Sequence, residues 1–249
     1  MAGRDYGQFC GLARALDLVG ERWALLIIRD LVQGPKRYTD LRKGLARIPT
    51  NVLSTRLKTL EAGGVVRRRR LPRPAAVMVY ELTAYGSELE DVIMRLGLWG
   101  ARLLGEPRPG EVITADSMII GLRSTFQSQA SPQPRVGYEL RVGEIVVHVQ
   151  VEDGGLRVAE GPLVDADLVI TMDPGVSRAL LSGELTPDAG VESGEVRLSG
   201  DAELLNLFVD LFHIPTEGAI LTDGLSAIPA DGAPAIPAQG FPARPDDRR

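Results

Sequence analysis

The sequence predicts an α+β protein: a mainly helical N-terminal half ends in a hairpin, and a C-terminal half holds an antiparallel sheet covered by helices. Residues 9–62 show the apolar spacing of helices, with short breaks between segments. Two strand-like runs, VVRRRRL (65–71) and VMVYELT (77–83), come next. Five more strand-like runs with glycine-containing turns between them occupy much of the second half.

Charge divides the chain near the same point. Residues 1–108 contain nineteen Lys and Arg against eleven Asp and Glu, a net charge of +8, whereas residues 109–249 contain nine against twenty-two, a net charge of −13. We therefore expect a polyanion-binding domain at 1–108 and a second domain at 112–224 that does not contact polyanions. The Pro- and Ala-rich stretch 225–249 is predicted to be a disordered tail.

Residue usage argues against most other classes of protein. The single cysteine, Cys10, rules out an intramolecular disulfide, and no signal segment or apolar run of membrane-spanning length is seen. A cytoplasmic location is expected. The two histidines lie far apart in sequence, and no phosphate-binding loop, dinucleotide fingerprint or nucleophile elbow is present. We expect no catalytic site, no metal and no cofactor.

Four helical segments are expected before the hairpin. The first spans Phe9 to Val19, and the second, from Trp23 to Val32, is apolar enough to be buried between helices. The third, TDLRKGL, has Thr39 as its expected cap, and the fourth, NVLSTRLKTLEA, has Thr50.

The fourth segment divides into two faces at 100° per residue. Its polar face carries Asn51, Ser54, Thr55 and Lys58, and its apolar face carries Leu53, Leu57 and Leu60. A recognition helix in the DNA major groove needs this division. Arg56 falls nearer the apolar side, so we expect it to contact a phosphate or to extend its stem over the core. A solvated face of an ordinary helix is the alternative, and the basic hairpin that follows favours DNA binding.

The hairpin is strongly basic, which completes the layout of a winged helix-turn-helix. Because side chains alternate along a strand, Arg67 and Arg69 should point opposite to Arg68 and Arg70. The charges could also only protect a strand edge. The residues expected to contact double-stranded DNA are Arg37, Thr39, Thr50, Asn51, Ser54, Thr55, Arg56, Lys58, Arg67, Arg68, Arg69, Arg70 and Arg73.

A long helix from Ala84 to Leu104 is predicted after Thr83, which is well placed to cap it. Its apolar stripe contains Leu89, Val92, Ile93, Leu96 and Trp99. Together with the first helix, this stripe is interpreted as a homodimer surface. Packing against the second domain is the alternative.

Residues 6–105 resemble the HxlR-type winged-helix transcriptional regulators. The resemblance rests on an N-terminal cysteine, the G-x-x-W before an apolar helix, the G-P-x-R-[FY]-x-[DE]-L turn and the L-x-x-R-L-x-x-L-E-x-G before the wing. It implies a homodimer on an inverted-repeat operator, and a cysteine that senses oxidants or electrophiles in several members. Cys10 matches that cysteine, but Gly11 replaces the usual proline and no second cysteine exists. The alternative for Cys10 is a packed helix residue.

The second half is expected to hold strands at 136–142, 144–151, 156–160, 166–172 and 195–200, and helices at 118–128, 174–183 and 201–212. The order of strand, helix, L-x-G-x-L, strand with G-D and a Leu/Phe-rich helix resembles the sterol carrier protein 2-like (SCP2-like) domain, over about 115–215. That resemblance implies an apolar cavity for a lipid-like molecule.

The residues that the SCP2-like resemblance suggests for the cavity wall are Phe126, Leu180, Leu181, Leu204, Phe208 and Phe212. Plain core packing is the alternative for each. The sequence thus predicts a dimeric, ligand-responsive DNA-binding regulator. Alternatives are a C-terminal domain that only stabilises the dimer or binds a protein, or a thiol sensor acting through Cys10. A methyltransferase with a winged dimerisation domain would need a glycine-rich nucleotide-binding sheet, which residues 109–249 lack.

Overall fold

The computed structural model describes residues 6–127 and 135–215. Its helices are α1 (Gly11–Val19), α2 (Ala24–Val32), α3 (Tyr38–Gly44), α4 (Thr50–Ala62), α5 (Ala84–Ser87), α6 (Leu89–Ala101), α7 (Ala115–Thr125), α8 (Pro174–Leu181), α9 (Pro187–Glu192) and α10 (Leu204–Leu211). Its strands are β1 (Val66–Arg70), β2 (Met78–Leu82), β3 (Val136–Val142), β4 (Ile145–Glu152), β5 (Gly155–Glu160), β6 (Leu168–Met172) and β7 (Arg197–Gly200). The tail predicted at 225–249 lies outside the described residues.

The N-terminal core forms where α2 and α4 meet. Ile27, Ile28 and Leu31 of α2 pack in one buried cluster with the apolar face of α4. The hairpin β1–β2 is antiparallel, with Arg68 opposite Tyr80. Lys36 forms an isolated bridge with Tyr80, so the segment before α3 is attached to the hairpin by backbone hydrogen bonds.

Two predicted caps are wrong and one is confirmed. Helix α3 starts at Tyr38, and the Asp40 carboxylate accepts a hydrogen bond from the Arg37 amide at 3.0 Å, so the first turn is satisfied from inside the helix. Thr39 is therefore a helical residue. Helix α4 has Pro49 at its cap position, in extended backbone, and Thr50 is its first residue. Thr83 does cap α5, since its hydroxyl accepts from the Gly86 amide at 3.0 Å.

The long helix predicted from Ala84 to Leu104 is two helices, α5 and α6, separated by a turn at Glu88 and ending at Ala101. Gly86 explains why α5 lies so close to β1. A side chain at this position would collide with the Val65 carbonyl, so the close approach requires glycine.

The C-terminal sheet has the order β5-β4-β3-β6-β7. Three of its pairings are antiparallel, as predicted, but β3 and β6 are parallel, with Leu140 opposite Ile170. The parallel pair arises because the chain leaves the β5 edge and returns beside β3 on the other side. Helix α9 was not predicted, although Thr186 caps it and Pro187 occupies its first position, which is a typical helix start.

Helix α7 begins three residues earlier than predicted, at Ala115, and lies against both halves. Its Ile120 belongs to the N-terminal core cluster, whereas Ile119 and Leu122 belong to the C-terminal one. The two halves therefore share α7 as a common wall.

Among the described residues, no helix is long and apolar enough to cross a membrane.

Candidate nucleic-acid interface

Helix α4 has the two faces that its sequence predicts. Leu53, Leu57 and Leu60 are buried in the core, while Asn51, Thr55 and Lys58 are exposed. Ser54 is half-buried, because its hydroxyl lies 3.2 Å from the Tyr38 hydroxyl. The Thr55 hydroxyl donates to the Asn51 carbonyl within the helix. Within residues 6–127 and 135–215, no hydrogen bond engages the side chain of Asn51 or Lys58, so both can reach outward.

Arg56 has a different role from its neighbours on α4. Its Nη2 donates to the Glu21 carboxylate at 2.7 Å, and its Nε donates to the Arg22 carbonyl at 3.2 Å. The guanidinium thus ties α4 to the loop between α1 and α2. This geometry matches a stem extended along the protein surface, while a phosphate contact by Arg56 stays a prediction.

The wing arginines alternate as predicted, and three of them have carboxylate partners. Arg67 and Arg69 both donate to Glu81 on β2, at 2.8 Å and 2.7 Å. Arg68 donates to Glu61 of α4 at 2.9 Å, and the Arg70 Nε is 3.3 Å from the Ala76 carbonyl. Arg73 is exposed at the tip, and no ion pair involves it in the part of the chain that the structure describes.

Glu81 is the central group of this cluster. It is buried below its two arginines. The hydrogen bond from Arg69 is the main reason why the pKa of the Glu81 carboxyl is held below its ordinary value, and the hydrogen bond from Arg67 adds to it against the opposing effect of burial. Glu81 therefore stays ionised at neutral pH and neutralises part of the wing's charge. Glu81 lies opposite Arg67 across the hairpin, and the sequence alone does not single it out.

Two residues that the sequence reasoning passed over hold the interface together. The Tyr38 hydroxyl donates to the Thr50 carbonyl at 2.9 Å, which joins α3 to the start of α4. The Lys36 backbone pairs with Tyr80 of the wing. Arg37 and Thr39, both exposed, lie in the same short segment, so they are fixed relative to α4 and to the wing. The aromatic position of the turn motif was the available signal for Tyr38.

The residues proposed for a ligand cavity mostly fill the C-terminal core. Phe208 is only 1% exposed, and its ring centre lies 4.9 Å from that of Phe212 and 5.2 Å from that of Tyr138. Phe126 stacks on Phe212 at 5.6 Å, while Leu180 is buried and Leu204 packs against the same core. These contacts match the core-packing alternative, and a ligand role for these residues stays a prediction.

The sixth residue of that set, Leu181, lines a cavity of about 920 Å³ in a different place. We call it the α7 cavity. It lies between α2, α6 and α7. Its wall is completed by α8, by the segment 103–114 and by residues 45–47, which connect α3 to α4. The sequence could not reveal it, because its walls come from segments far apart in the chain.

The proposed dimer surface is partly packed and partly exposed. Ile93 and Leu98 of α6 are buried, and Ile93 packs in the N-terminal core cluster that also contains Ile120 of α7. Val92, Leu96 and Trp99 remain exposed, and so do Phe9, Leu12 and Leu16 at the start of the chain. The burial of Ile93 beside α7 fits the packing alternative, while the role of the exposed residues as a dimer surface stays a prediction.

Cys10 lies at the cap position of α1 and is exposed. The alternative of a packed helix cysteine is therefore wrong: its segment projects from the core, with Phe9 beside it fully exposed. No group of three or more His, Cys, Asp or Glu residues that could hold a metal ion occurs among the described residues.

Comparison with protein-family models finds two matches along the chain. Residues 18–107 match the HxlR-like helix-turn-helix model, and residues 133–213 match the SCP-2 sterol transfer family. The first match contains α2 to α6 and both wing strands. The second contains the five strands of the C-terminal sheet and helices α8, α9 and α10, and it begins after α7.

Curated relatives resemble the N-terminal half. The HTH-type transcriptional regulator YodB of Bacillus subtilis is 33% identical over 99 residues, which are 40% of this chain and 86% of that protein. The uncharacterized HTH-type transcriptional regulator YdeP of the same organism is 31% identical over 104 residues, 40% of this chain and 81% of the relative. The uncharacterized HTH-type transcriptional regulator Rv3095 of Mycobacterium tuberculosis is 40% identical over 109 residues, 44% of this chain and 66% of the relative.

Proposed function

Since the chain belongs to the HxlR-like helix-turn-helix family of DNA-binding transcriptional regulators, we propose that it acts as a homodimer on an inverted-repeat operator in the cytoplasm. The observation that supports this best is the division of α4. Its apolar face is buried in the core, and its opposite face presents Asn51, Thr55 and Lys58 to the exterior. Asn is suited to adenine in the major groove, where it can form two hydrogen bonds. The wing arginines would contact the backbone on either side.

The dimer rests on exposed apolar side chains that a single copy leaves uncovered. Phe9, Leu12, Val92, Leu96 and Trp99 are exposed on α6 and at the N-terminus. Large exposed apolar groups of this kind mark interaction surfaces. A twofold dimer would place the two α4 helices on half-sites separated by about one turn of DNA.

Selection from random duplexes tests both parts of this proposal. The purified full chain would be mixed with a random-sequence duplex library, and the bound fraction sequenced. We expect an inverted repeat, and binding of one half-site alone should be much weaker. Enrichment without any common sequence, or a single half-site bound as tightly as the pair, would contradict it.

The C-terminal half is proposed to make the regulator responsive to a small apolar ligand. The SCP-2 match and the α7 cavity support this. The alternative, a C-terminal half that only stabilises the dimer or binds another protein, is favoured by the closed aromatic core around Phe208. Organic extraction of the purified protein followed by mass spectrometry distinguishes them, because only the first requires a co-purifying or added small molecule.

A thiol-based response remains a second candidate because Cys10 is exposed and so accessible to a reagent. A thiolate needs a basic or dipolar neighbourhood to react quickly. Treating the protein with diamide and comparing operator affinity for the wild type and Cys10→Ser tests this. An identical response of both proteins excludes the role for Cys10.

A further inference from the structure

We infer that the effector site is the α7 cavity between the two halves, rather than the interior of the C-terminal half, and that it takes an apolar molecule with one carboxylate, whose head group binds Arg47. The coupling of this site to DNA rests on the proposed regulator function. The location and the head-group contact do not, since both can be measured without DNA.

The walls of the α7 cavity are apolar side chains that the protein leaves uncovered. They include five large apolar residues that are exposed although they line one concave space: Leu26, Leu103, Leu104, Val112 and Ile113. The volume of about 920 Å³ falls near the upper end of small-molecule sites, which span roughly 300–1,000 Å³. Burial of these side chains by an apolar ligand is favourable because it removes them from water.

Two glycines keep the cavity open on its helical walls. Gly121 of α7 lines the cavity, and a Cβ added there would meet no heavy atom within 4 Å. Gly97 of α6 lies across from it, where an added Cβ would be 3.6 Å from the Ser124 hydroxyl. Glycine inside a helix is destabilising relative to alanine. Neither glycine is required by packing, and both leave space that a ligand can occupy.

Arg47 supplies the charge that selects the head group. It is exposed at the cavity wall, and its Nη2 donates to the Gly110 carbonyl at 2.6 Å. Among the described residues it forms no ion pair. The other cavity arginines differ: Arg29 is paired with Asp30, Arg108 with Glu111 and Arg178 with Glu184. A guanidinium has five N–H donors, so Arg47 can hold Gly110 and still bind a carboxylate.

Contacts at two walls of the α7 cavity connect it to α4 and to the wing. Arg47 lies three residues before Thr50, the first residue of α4, so a head group on Arg47 acts on the start of that helix. On the other wall, Asp116 in the first turn of α7 accepts from the Lys36 Nζ at 2.9 Å. The Lys36 backbone is bonded to Tyr80 of the wing. A ligand that displaces α7 therefore changes the position of the wing as well.

A fluorescence titration of the full chain with dansyl-labelled undecanoic acid tests the site. Gly121→Phe fills the cavity, and Gly121→Ala is its matched control because it adds only one carbon to open space. We expect Gly121→Phe to weaken probe binding at least tenfold and Gly121→Ala to leave it unchanged, with both variants melting cooperatively. Tight binding to Gly121→Phe, or no binding to the wild type, would overturn the assignment.

The head-group contact is tested with the methyl ester of the same probe. Arg47→Gln should weaken the acid about tenfold, the size of one modest charge-assisted hydrogen bond, and leave the ester unaffected. Equal losses for acid and ester would refute the carboxylate contact.

Coupling is then read from operator affinity with and without the acid. It should change for the wild type and stay constant for Gly121→Phe. Asp116→Asn should still bind the probe but respond less. A wild type that binds both probe and operator independently would overturn the coupling, whereas a wild type that binds the probe and no operator would instead refute the proposed function.

Discussion

The Tyr38 hydroxyl donates a hydrogen bond to the Thr50 carbonyl at 2.9 Å, and this one contact fixes the start of the recognition helix against α3. The carbonyl belongs to the first residue of α4, next to Asn51. The same hydroxyl lies 3.2 Å from the Ser54 hydroxyl, one turn further on. The proposed recognition helix is therefore positioned by a side chain that does not belong to it.

Tyr38→Phe should reduce both stability and operator affinity. Loss of one hydrogen bond is expected to cost about 1 kcal/mol in the free energy of unfolding, measured by urea denaturation. Tyr85→Phe is the matched control, because Tyr85 is exposed and its hydroxyl makes no hydrogen bond within residues 6–127 and 135–215. Equal effects of the two changes would show that the Tyr38 contact does not matter.

Asn51→Ala should relax sequence preference at one position of each half-site. A good contact to a base edge contributes about 1–3 kcal/mol of discrimination, so affinity for the best operator falls while affinity for single-base variants at that position changes little. Competition binding with a panel of operator variants measures this. If the ranking of the variants is unchanged, Asn51 does not read a base.

Arg73→Ala should weaken all duplexes alike. Arg73 is exposed at the wing tip, so it is expected to contact a phosphate. The slope of log affinity against log salt should become shallower by about one unit per lost contact. Arg157→Ala, on the exposed face of β5 in the acidic half, is the control and should leave the slope unchanged. A loss confined to particular sequences would instead assign base reading to Arg73.

Acid should weaken the wing through Glu81. Because its arginines hold the folded-state pKa of this carboxyl below the ordinary value of 4.5, the ion pairs contribute fully to stability above that value. The contribution falls as the pH drops below 4.5, and it is lost once the pH has passed below the lowered pKa that this carboxyl has in the folded state. Glu81→Gln should therefore melt at a lower temperature than the wild type at neutral pH, and the difference should shrink in acid. Glu192→Gln, an exposed control, should show no such convergence.

Trp99→Asp should produce a folded monomer. Trp99 is 62% exposed on α6, so the change costs a single copy little, but it places an unpaired charge in the proposed dimer surface. Light scattering should show half the wild-type mass, and operator affinity should fall. Val164→Asp is the control, because Val164 is 85% exposed in the C-terminal half. A dimeric Trp99→Asp protein would place the interface elsewhere.

Local periodicity was enough to predict most of the elements and the two faces of α4. The apolar positions Leu53, Leu57 and Leu60 repeat at helical spacing, and their burial follows from that repeat. Partners distant in the chain could not be predicted in this way. The Lys36–Asp116 ion pair joins residues 80 positions apart, and the parallel pairing of β3 with β6 depends on how the chain crosses the sheet.

The caps of α3 and α4 show a second limit. Threonine is a favoured cap residue, so Thr39 and Thr50 were reasonable choices. The observed starts depend on details of the neighbours: Asp40 supplies the acceptor for the first turn of α3, and Pro49 occupies the extended cap position of α4. The α7 cavity required the complete tertiary arrangement, since no single segment forms more than part of its wall.

The pairing of Glu81 with Arg67 and Arg69 has a consequence for the entropy of binding. A long arginine side chain loses up to about 2 kcal/mol of rotamer freedom when it is fixed in one conformation. In this protein that loss has already occurred in the free wing, because a carboxylate holds both guanidinium groups. A phosphate that binds the remaining N–H donors of these guanidinium groups would meet side chains that Glu81 already orders. For the proposed contact of the wing with the DNA backbone, part of the ordering cost is thus met before binding.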